Sequence, residues 1–553
     1  MLSYLLENKV LIPLDTYFAK RLLKLNQDAD LLLFMSMLFA SFRRGEVCFY
    51  PLNLDKTLFA SHEQANLYIE ALLKGAKRLP EYLVEENPEE KQVIQKPICK
   101  FKERYYLQKN WTFETKVLQE IKALSLQKPP EICSETTFLQ MLALQKDLDK
   151  KQRDAIESVL TNSLTLLSGG PGTGKTFTAA LMIKIFSSST EKKLKVLLCA
   201  PTGKASFHLM SKIPKDLIGQ VSIEAKTLHS LLQISKDRYK PFVKNLYPYD
   251  LIIVDEASMI DLKMMSYLLS SISKKTRLVL IGDKNQLSPV ETGQVFAEAC
   301  SLKQTVFLEK THRFSNPNLL TLTKGICDSN PEEVLFALEQ KDPALQFHSL
   351  TDSYSQFTPY LDSFIKPQKE PYNINECFLQ MKHFQILSAK KQGALGVDGI
   401  NNWILYELIK NPSTYFAYPI MITSNDYKKK LFNGMMGIVV TKRIYPLGKI
   451  GKAYFQGPSN DIVEFSLQEL YNWEYAYAIS VHKSQGSEFD HVLTIIPDKS
   501  ESFGRELLYT AATRAKKSLT LLTKKGTLLK MVEKSGLKGS LLEKRMQTAT
   551  EKS

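Results

Sequence analysis

The chain has 553 residues, a formal net charge of +15 at pH 7 and an isoelectric point near 9.1, which suits several domains and a polyanionic partner such as nucleic acid. Its longest apolar stretch, Leu31 to Phe42, is too short to cross a bilayer, and no basic opening marks a secretory signal, so we expect a cytoplasmic protein. The seven cysteines include no C-x-x-C pair, which argues against zinc, iron–sulfur clusters and a disulfide framework.

The first part of the chain predicts an all-helical accessory domain. Residues 1–110 carry apolar side chains at helical spacing and no constellation of catalytic groups. The acidic run from Glu81 to Lys91 is turn-rich and is interpreted as a solvated connection. A helix is predicted over Trp111 to Leu126 and ends before two prolines, so residues 111–139 are expected to form a helix and a linker.

Residues 140–320 alternate between short apolar runs and segments of helical length. The apolar runs are Leu164–Leu167, Val196–Ala200, Leu251–Val254, Leu278–Ile281 and Val306–Leu308. Strands that are buried on both faces have this composition. We therefore predict a parallel α/β sheet that binds its ligands at the carboxyl ends of the strands.

The first apolar run leads into GGPGTGKT, which matches the pattern G-x-x-x-x-G-K-[ST]. In such a loop, successive backbone N–H groups face phosphate oxygens, and the N-terminus of the following helix favours the same anion. We predict that Lys175 meets the β- and γ-phosphates of ATP and that the Thr176 hydroxyl binds Mg²⁺. The predicted nucleotide-binding residues of this loop are Gly169, Gly170, Pro171, Gly172, Thr173, Gly174, Lys175 and Thr176.

Two later strands end in side chains that suit phosphoryl transfer. Asp255 follows an apolar run and is placed to hold Mg²⁺, directly or through water, while Glu256 can orient and deprotonate an attacking water. Taken alone, this acid pair is better explained as an ordinary polar end of a strand, and only the phosphate loop eighty residues upstream favours the catalytic interpretation. Gln286, in the stretch GDKNQL, is predicted to touch the γ-phosphate.

A second alternating block spans residues 380–525 and has no phosphate loop of its own. Its predicted strands are Phe384–Leu387, Ile420–Ile422, Ala478–Ile479, Val492–Ile496 and Leu519–Leu522. Within the block, about residues 428–470, the pieces GIVVTKRIY and DIVEFS predict a small antiparallel β insertion. The lysines of this insertion form either a nucleic-acid face or solvated strand edges. Residues 321–379 are interpreted as a helical connection, and residues 526–553 as a basic, frayed tail.

Together these motifs resemble the helicase motifs of superfamily 1. In chain order they are GGPGTGKT, APTGKAS, TLHSLL, VDEASM, GDKNQLSPV, KTHRF, VHKSQGSEF and LLYTAATRAKK. Two further stretches, ILSAKKQGALGVDGIN and MITSNDYKKKLFNGMMGIV, make the resemblance strongest to the RecD family, the alpha subunits of exodeoxyribonuclease V. This resemblance implies an α/β protein with two RecA-like domains, ATP in the cleft between them and an SH3-like insertion in the second.

The resemblance also implies roles for residues outside the phosphate loop. Gln152 matches the position that contacts adenine in the family, and Glu488 belongs to the nucleotide site. Arg313 and Arg514 match two arginines that reach the γ-phosphate, the second from across the cleft, although either alone could be a surface cation. The residues in motifs that line the single-strand channel of such helicases are Thr202, His229, Thr423, His482 and Ser484.

The function implied by the resemblance is ATP-dependent, 5′ to 3′ unwinding of DNA in double-strand break repair and recombination. The expected partners are DNA, a RecB-like helicase–nuclease and a RecC-like scaffold, with residues 1–110 as a docking domain. We expect any nuclease activity to belong to a partner. Two alternatives are a stand-alone repair or RNA-directed helicase of the same superfamily and a mainly structural subunit.

Overall fold

The N-terminal region combines helices with a small mixed sheet. The computed structural model describes residues 1–24, 28–86, 88–90, 93–129, 131, 133–213, 221–233, 247–302, 305–311, 316–351, 353–410, 413–426, 428–442, 451–457, 461–536 and 540–551. The first elements are α1 (Leu2–Glu7), α2 (Pro13–Leu23), α3 (Ala29–Arg43), β1 (Cys48–Phe49), α4 (His62–Lys77), β2 (Val84–Glu86), β3 (Ile98–Phe101), β4 (Arg104–Leu107) and α5 (Gln108–Leu126). The strands pair in the order β1-β4-β3-β2.

The prediction of an all-helical region at residues 1–110 was therefore wrong. Its strands contain two to four residues each and are too short to show the alternating pattern that marks a strand in sequence. The stretch from Glu81 to Lys91 is likewise more than a solvated connection, because Leu83 and Val84 are buried and β2 pairs with β3. The predicted helix after this sheet is confirmed as α5.

The elements from α6 to β10 follow in the alternating order that the sequence predicts; we call them the first motor domain, and those from α13 to α18 the second, after the family that the sequence resembles. They are α6 (Glu135–Ala143), α7 (Lys150–Thr161), β5 (Leu164–Gly169), α8 (Lys175–Ser188), β6 (Lys195–Ala200), α9 (Gly203–Ser211), β7 (Ser222–Thr227), α10 (Leu228–Leu231), β8 (Leu251–Val254), α11 (Leu262–Ser270), β9 (Arg277–Gly282), α12 (Val295–Ala299) and β10 (Thr305–Leu308).

All the strands of this domain's sheet run parallel, in the order β10-β5-β9-β8-β6-β7. The strands predicted here are confirmed: the four central ones are apolar runs buried on both faces, whereas β10 lies at the edge of the sheet and is only partly buried. Strand β7 was missed, since it is a partly exposed edge strand with a polar sequence. The parallel order brings the carboxyl ends of β5, β8 and β9 to one edge of the sheet.

The second motor domain contains a parallel sheet and an antiparallel one. Its elements are α13 (Pro317–Cys327), α14 (Pro331–Glu339), β11 (Leu345–His348), α15 (Ile374–His383), β12 (Phe384–Ser388), α16 (Val397–Ile409), β13 (Phe416–Ile422), β14 (Met436–Thr441), β15 (Lys452–Gln456), β16 (Ile462–Ser466), β17 (Trp473–Tyr475), β18 (Ala478–Ser480), β19 (Phe489–Ile495), α17 (Gly504–Ala512), β20 (Ala515–Leu522) and α18 (Lys525–Glu533). The last helix, α19 (Leu542–Glu551), instead packs against α5 and α12. None of the helices in the described part of the chain has the length and apolarity needed to cross a bilayer.

The parallel sheet of this domain has the order β11-β20-β19-β12-β18. Strand β11 lies within residues 321–379, so the helical connection predicted there also contains a strand. It pairs with β20 at the edge of the sheet. Its alternating burial, with Leu345 inside and Gln346 exposed, gives it fewer apolar residues than a central strand.

The antiparallel insertion has the order β16-β15-β14-β13-β17. It confirms the predicted β insertion but begins earlier, since β13 belongs to it. The run Ile420–Ile422 was assigned to the parallel sheet, and that assignment was wrong. Because β13 is buried along its whole length, its composition does not distinguish the two kinds of sheet. Part of the basic stretch, residues 443–450, lies outside the described residues.

The C-terminal segment is folded, so the prediction of a frayed tail at residues 526–553 was wrong. Helix α18 buries Leu528 and Met531 against the second motor domain. Farther on, Arg545 is 3% exposed and pairs with Glu114 of α5, with Nη1 2.8 Å from Oε1. Its guanidinium lies 3.9 Å from the centre of the Trp111 ring. The composition of this segment could not predict that it folds, because a basic sequence does not indicate that one of its arginines is buried.

We expect Arg545→Ala to lower the free energy of unfolding by about 3 kcal/mol or more, because it leaves the buried Glu114 carboxylate without its cation. Urea denaturation followed by circular dichroism measures the change. Lys530→Ala, which removes an exposed lysine of α18, is the control and should change little. Equal effects of the two substitutions would show that the Arg545 contact does not stabilise the fold.

Candidate nucleotide-binding and catalytic site

The phosphate loop joins the end of β5 to the start of α8 in the conformation that its glycines allow. Gly172 and Gly174 have φ angles of 77° and 85°, in the left-handed region that favours glycine. The Lys175 ammonium donates hydrogen bonds to the carbonyl oxygens of Gly169 at 2.7 Å and Gly170 at 2.9 Å. The lysine thus lies across its own loop, at the N-terminus of a helix, where phosphate is favoured.

Gln152 lies beside the phosphate loop on α7. It is buried, and a Cβ placed on Gly174 would come within 2.7 Å of its side-chain nitrogen. The side-chain oxygen accepts a hydrogen bond from the backbone N–H of Asp149 at 3.2 Å and so caps α7. This cap gives Gln152 a structural role, and its contact with adenine stays a prediction.

The acid pair lies where β8 ends, next to the loop. Burial and the neighbouring Glu256 charge raise the pKa of Asp255 to about 7, while Lys175 acts in the opposite direction. Glu256 has a φ of 52°, which is uncommon for a residue with a side chain. This backbone directs the Glu256 carboxylate toward the second motor domain: Oε1 is the nearest atom, at 3.8 Å, to a Cβ placed on Gly486.

The residues present fit a magnesium nucleotide. Mg²⁺ beside phosphates is bound through one or two protein oxygens, and the Thr176 hydroxyl and the Asp255 carboxylate are of that kind. The raised pKa of Asp255 shows that a negative charge there lacks full compensation, which a bound divalent cation would supply. The Asp255 carboxylate accepts a hydrogen bond from the Glu256 backbone N–H, with Oδ1 2.8 Å from the nitrogen.

Gln286 follows β9 and has an unused acceptor. Its side-chain nitrogen donates to Asp283 Oδ2 at 3.2 Å, while its Oε1 is buried and has no hydrogen-bond partner among the described residues. A buried polar atom of this kind is costly unless something occupies the site during function. A carbonyl oxygen can accept a hydrogen bond from the attacking water and so orient it, the role that such glutamines have in phosphoryl transfer.

Two functional candidates at this site were not singled out from the sequence. Asp283 is buried next to Gln286, and burial raises its pKa. Tyr509 of α17 donates its hydroxyl proton to Asp283 Oδ2 at 3.0 Å, across the cleft between the motor domains. Both stand in recognised motifs, GDKNQLSPV and LLYTAATRAKK, and membership of those motifs was the available signal.

Two of the remaining predicted nucleotide contacts, Arg514 and Glu488, have their partners outside the phosphate loop in this structure. Arg514 is 3% exposed and donates to the carbonyl oxygens of Thr510 at 3.1 Å and Ser487 at 3.2 Å, within its own domain. Glu488 is exposed and pairs with Lys516 at 3.2 Å. Arg313 lies outside the described residues. Contacts of these three residues with nucleotide therefore stay predictions.

The predicted channel residues are distributed over both motor domains, in different surroundings. Thr202 accepts a hydrogen bond from Ala205 N–H at the start of α9, and Thr423 follows β13. His229 is exposed and lines a cavity of about 530 Å³ together with Lys109 and Lys263.

His482 and Ser484 form one short turn after β18. His482 is partly exposed, whereas Ser484 is fully buried and donates to the Val481 carbonyl at 2.7 Å. The serine hydroxyl is thus used within the fold here. Contacts of the channel residues with DNA stay predictions.

Comparison with known proteins identifies the family. Residues 147–347 match the AAA domain family, and residues 475–522 match the UvrD-like helicase C-terminal domain. RecBCD enzyme subunit RecD of Mycolicibacterium smegmatis is 30% identical over 490 residues, which cover 82% of this chain and 84% of the relative. The chain belongs to the RecD family. It is therefore a superfamily 1 DNA helicase with ATP-hydrolysing motor domains, and its P-loop domain binds nucleotide.

Two further relatives show the range of this family. RecBCD enzyme subunit RecD of Buchnera aphidicola subsp. Schizaphis graminum is 28% identical over 505 residues, covering 79% of this chain and 83% of the relative. The ATP-dependent RecD2 DNA helicase of Deinococcus radiodurans is 28% identical over 425 residues, covering 75% of this chain and 54% of the relative. Relatives of both names thus resemble this chain at similar identity.

We expect Asp255→Asn to stabilise the nucleotide-free, Mg²⁺-free protein at pH 8. A carboxyl whose pKa is higher in the folded state than in the unfolded state loses stability as pH rises, here between about 4 and 7. The amide escapes this loss, so the variant should gain roughly 2 to 4 kcal/mol at pH 8, with a smaller gain toward pH 5.

Urea denaturation at several pH values measures this gain. Asp147→Asn, at an exposed carboxyl outside the site, is the control and should show no comparable trend. A constant difference between Asp255→Asn and the parent from pH 5 to 8 would contradict the raised pKa.

Proposed function

We propose that this helicase is the 5′ to 3′ translocating alpha subunit of a RecBCD-type exodeoxyribonuclease V complex in double-strand break repair. One observation carries the catalytic part: Tyr509 of α17, in the second motor domain, donates a hydrogen bond to Asp283, which lies beside Gln286 and near Lys175 of the first. Hydrolysis in such a cleft is coupled to relative motion of the two domains. The assembly part is supported by relatives named RecBCD enzyme subunit RecD that match about four fifths of the chain.

In this proposal each side chain has a role set by its position. Lys175 and the loop N–H groups bind the β- and γ-phosphates, and Thr176 and Asp255 hold Mg²⁺, which neutralises charge on the phosphates. Glu256 takes a proton from the attacking water, and Gln286 orients that water through its unused oxygen. Arg514 and Arg313 would stabilise the charge on the transferring phosphoryl group when the cleft closes.

The single strand is proposed to cross both motor domains, past Thr202, His229, Thr423 and His482. Side chains of this kind hold phosphates without distinguishing bases, which suits a helicase that must move along any sequence. The net charge of +15 favours such a polyanion. The cytoplasmic location expected from the sequence stays part of this proposal.

The N-terminal region is proposed to dock on a partner subunit. Leu14, Tyr17 and Phe18 of α2 are 52%, 53% and 45% exposed, and the two rings lie 5.9 Å apart. Adjacent exposed apolar side chains often mark protein interaction sites. A second candidate is a helicase that works without RecB-like and RecC-like subunits. It is favoured by similarity to a relative that is named as an ATP-dependent RecD2 DNA helicase and not as a RecBCD enzyme subunit.

We expect the purified chain to unwind a duplex with a 5′ single-stranded tail and to leave a 3′-tailed duplex intact. Lys175→Gln should abolish unwinding, because it removes the cation at the phosphates. Lys193→Gln, at an exposed lysine of the same domain, is the matched control. Strand-displacement assays with ATP and Mg²⁺ measure this, and unwinding only from 3′ tails would overturn the proposed polarity.

We expect affinity purification of the tagged full-length chain from its own cells to recover a large helicase–nuclease and a scaffold subunit. Phe18→Asp should reduce that recovery, because it places a charge in the proposed apolar contact. Leu67→Asp, at a similarly exposed apolar residue of α4, serves as the control. If no partner is recovered while the chain alone unwinds 5′-tailed DNA, the stand-alone candidate replaces the subunit.

Arg514→Ala should lower the rate of ATP hydrolysis by about 10³-fold or more if Arg514 acts on the phosphoryl group during closure. Single-turnover and steady-state ATPase assays measure the change. Arg505→Ala provides the comparison, since Arg505 lies on α17, shortly before Arg514 in the chain, but donates to the Ser329 hydroxyl. A loss of less than about tenfold would assign Arg514 a structural role.

A further inference from the structure

Tyr509 belongs to the second motor domain but forms its hydrogen bond with the first. Its hydroxyl lies 3.0 Å from Asp283 Oδ2, and both residues are buried, with 6% and 3% of their surface exposed. Burial and the Asp283 charge hold the pKa of Tyr509 well above its usual value, so the hydroxyl stays protonated and donates. A hydrogen bond to a buried carboxylate is among the stronger kinds in proteins.

The same carboxylate oxygen also anchors the glutamine of the predicted catalytic set. Gln286 donates to Asp283 Oδ2 at 3.2 Å, and Asn285 N–H donates to Oδ1 at 3.1 Å. Asp283 Oδ2 therefore accepts one hydrogen bond from each motor domain, from Gln286 of the first and from Tyr509 of the second. The orientation of Asp283, and with it that of Gln286, depends on whether Tyr509 is in place.

Two further contacts bring α17 to the phosphate site. Thr510 accepts a hydrogen bond from Leu287 N–H at 3.0 Å, so consecutive residues of α17 contact the segment that carries Gln286. A Cβ placed on Gly170 would lie 2.9 Å from the Tyr509 hydroxyl oxygen. The tyrosine thus reaches the phosphate loop, at a position where a glycine leaves room for it.

We propose that Tyr509 is a positioning residue of the ATPase, which holds Asp283 and thereby Gln286 at the phosphate loop according to the position of the second motor domain. This inference rests on the proposed function, because it assumes that ATP is hydrolysed in this cleft. It adds a path by which DNA bound across both domains controls turnover. When α17 moves away, Asp283 loses its hydrogen bond from Tyr509. Gln286, which donates to the same Asp283 oxygen, is then less well oriented, and hydrolysis slows.

The test is Tyr509→Phe, which removes the hydroxyl and keeps the ring. Tyr418→Phe is the matched control, because the Tyr418 hydroxyl is also buried in the second motor domain but has no hydrogen-bond partner among the described residues. In Tyr509→Phe we expect the DNA-stimulated kcat to fall about tenfold, with the KM for ATP changed by less than about twofold. More ATP should also be consumed per base pair unwound, whereas Tyr418→Phe should match the parent.

Unchanged kcat and unchanged ATP consumption per base pair in Tyr509→Phe would overturn the proposal. Lys175→Gln is assayed in parallel: if the parent hydrolyses ATP no faster than Lys175→Gln, the proposed function itself fails. If Tyr509→Phe does not fold, Asp283→Asn and Asp283→Ala replace it. Only the asparagine keeps an oxygen that can accept from Tyr509, so it should retain most of the DNA stimulation. Equal loss in both variants would overturn the proposal.

Discussion

Buried carboxyl groups near Lys175 determine the electrostatics of the cleft and therefore which ligand it can bind. Asp255 and Asp283 are both buried, and in each case burial raises the pKa while Lys175 lowers it. Charges taken out of water are unfavourable unless they are paired. In the nucleotide-free cleft, Lys175 only partly offsets the negative charges of these two carboxyl groups. In the proposed function, a magnesium nucleotide would supply the missing positive charge through the metal ion and a partner for Lys175 through the phosphates. The site is thus built for a ligand that carries both.

The sheet order explains why these groups meet. In the first motor domain β5, β9 and β8 are neighbours and run parallel, so the phosphate loop, the acid pair and the Gln286 segment leave the same edge. Ligand sites of parallel α/β sheets lie at this edge. No single segment of the chain contains the site, which exists only once the sheet has formed.

Helix α17 connects this site to the rest of the molecule. Near its start, Glu506 is buried and accepts from Ser535 at 2.8 Å and from the Gly536 N–H at 2.6 Å. One turn later Tyr509 and Thr510 contact the first motor domain. The C-terminal segment held by Glu506 is followed by α19, which docks on α5 through Arg545. A displacement of α17 would therefore change contacts both near the phosphate loop and in the C-terminal segment.

Strands and site residues that are marked by a local sequence pattern could be predicted. Contacts between segments that are distant in the chain could not. Strands such as Leu251–Val254 are buried on both faces, and their apolar runs are visible in any window. The short strands around Cys48 and Ile98 show no such pattern, and β13 has the composition of either kind of sheet. Lys175 and Asp255 could be identified from motif spacing. The burial of Arg545 and the partner of Tyr509 depend on segments hundreds of residues away, which no local pattern contains.

In the proposed function, ATP hydrolysis in this cleft moves the protein along a DNA strand. The most direct measurement is the steady-state rate of ATP hydrolysis as a function of the length of single-stranded DNA supplied to the purified chain. A translocating motor hydrolyses more ATP per binding event on a longer strand, so the rate should rise with length and then reach a plateau. A rate independent of strand length, or equal with and without DNA, would contradict the account.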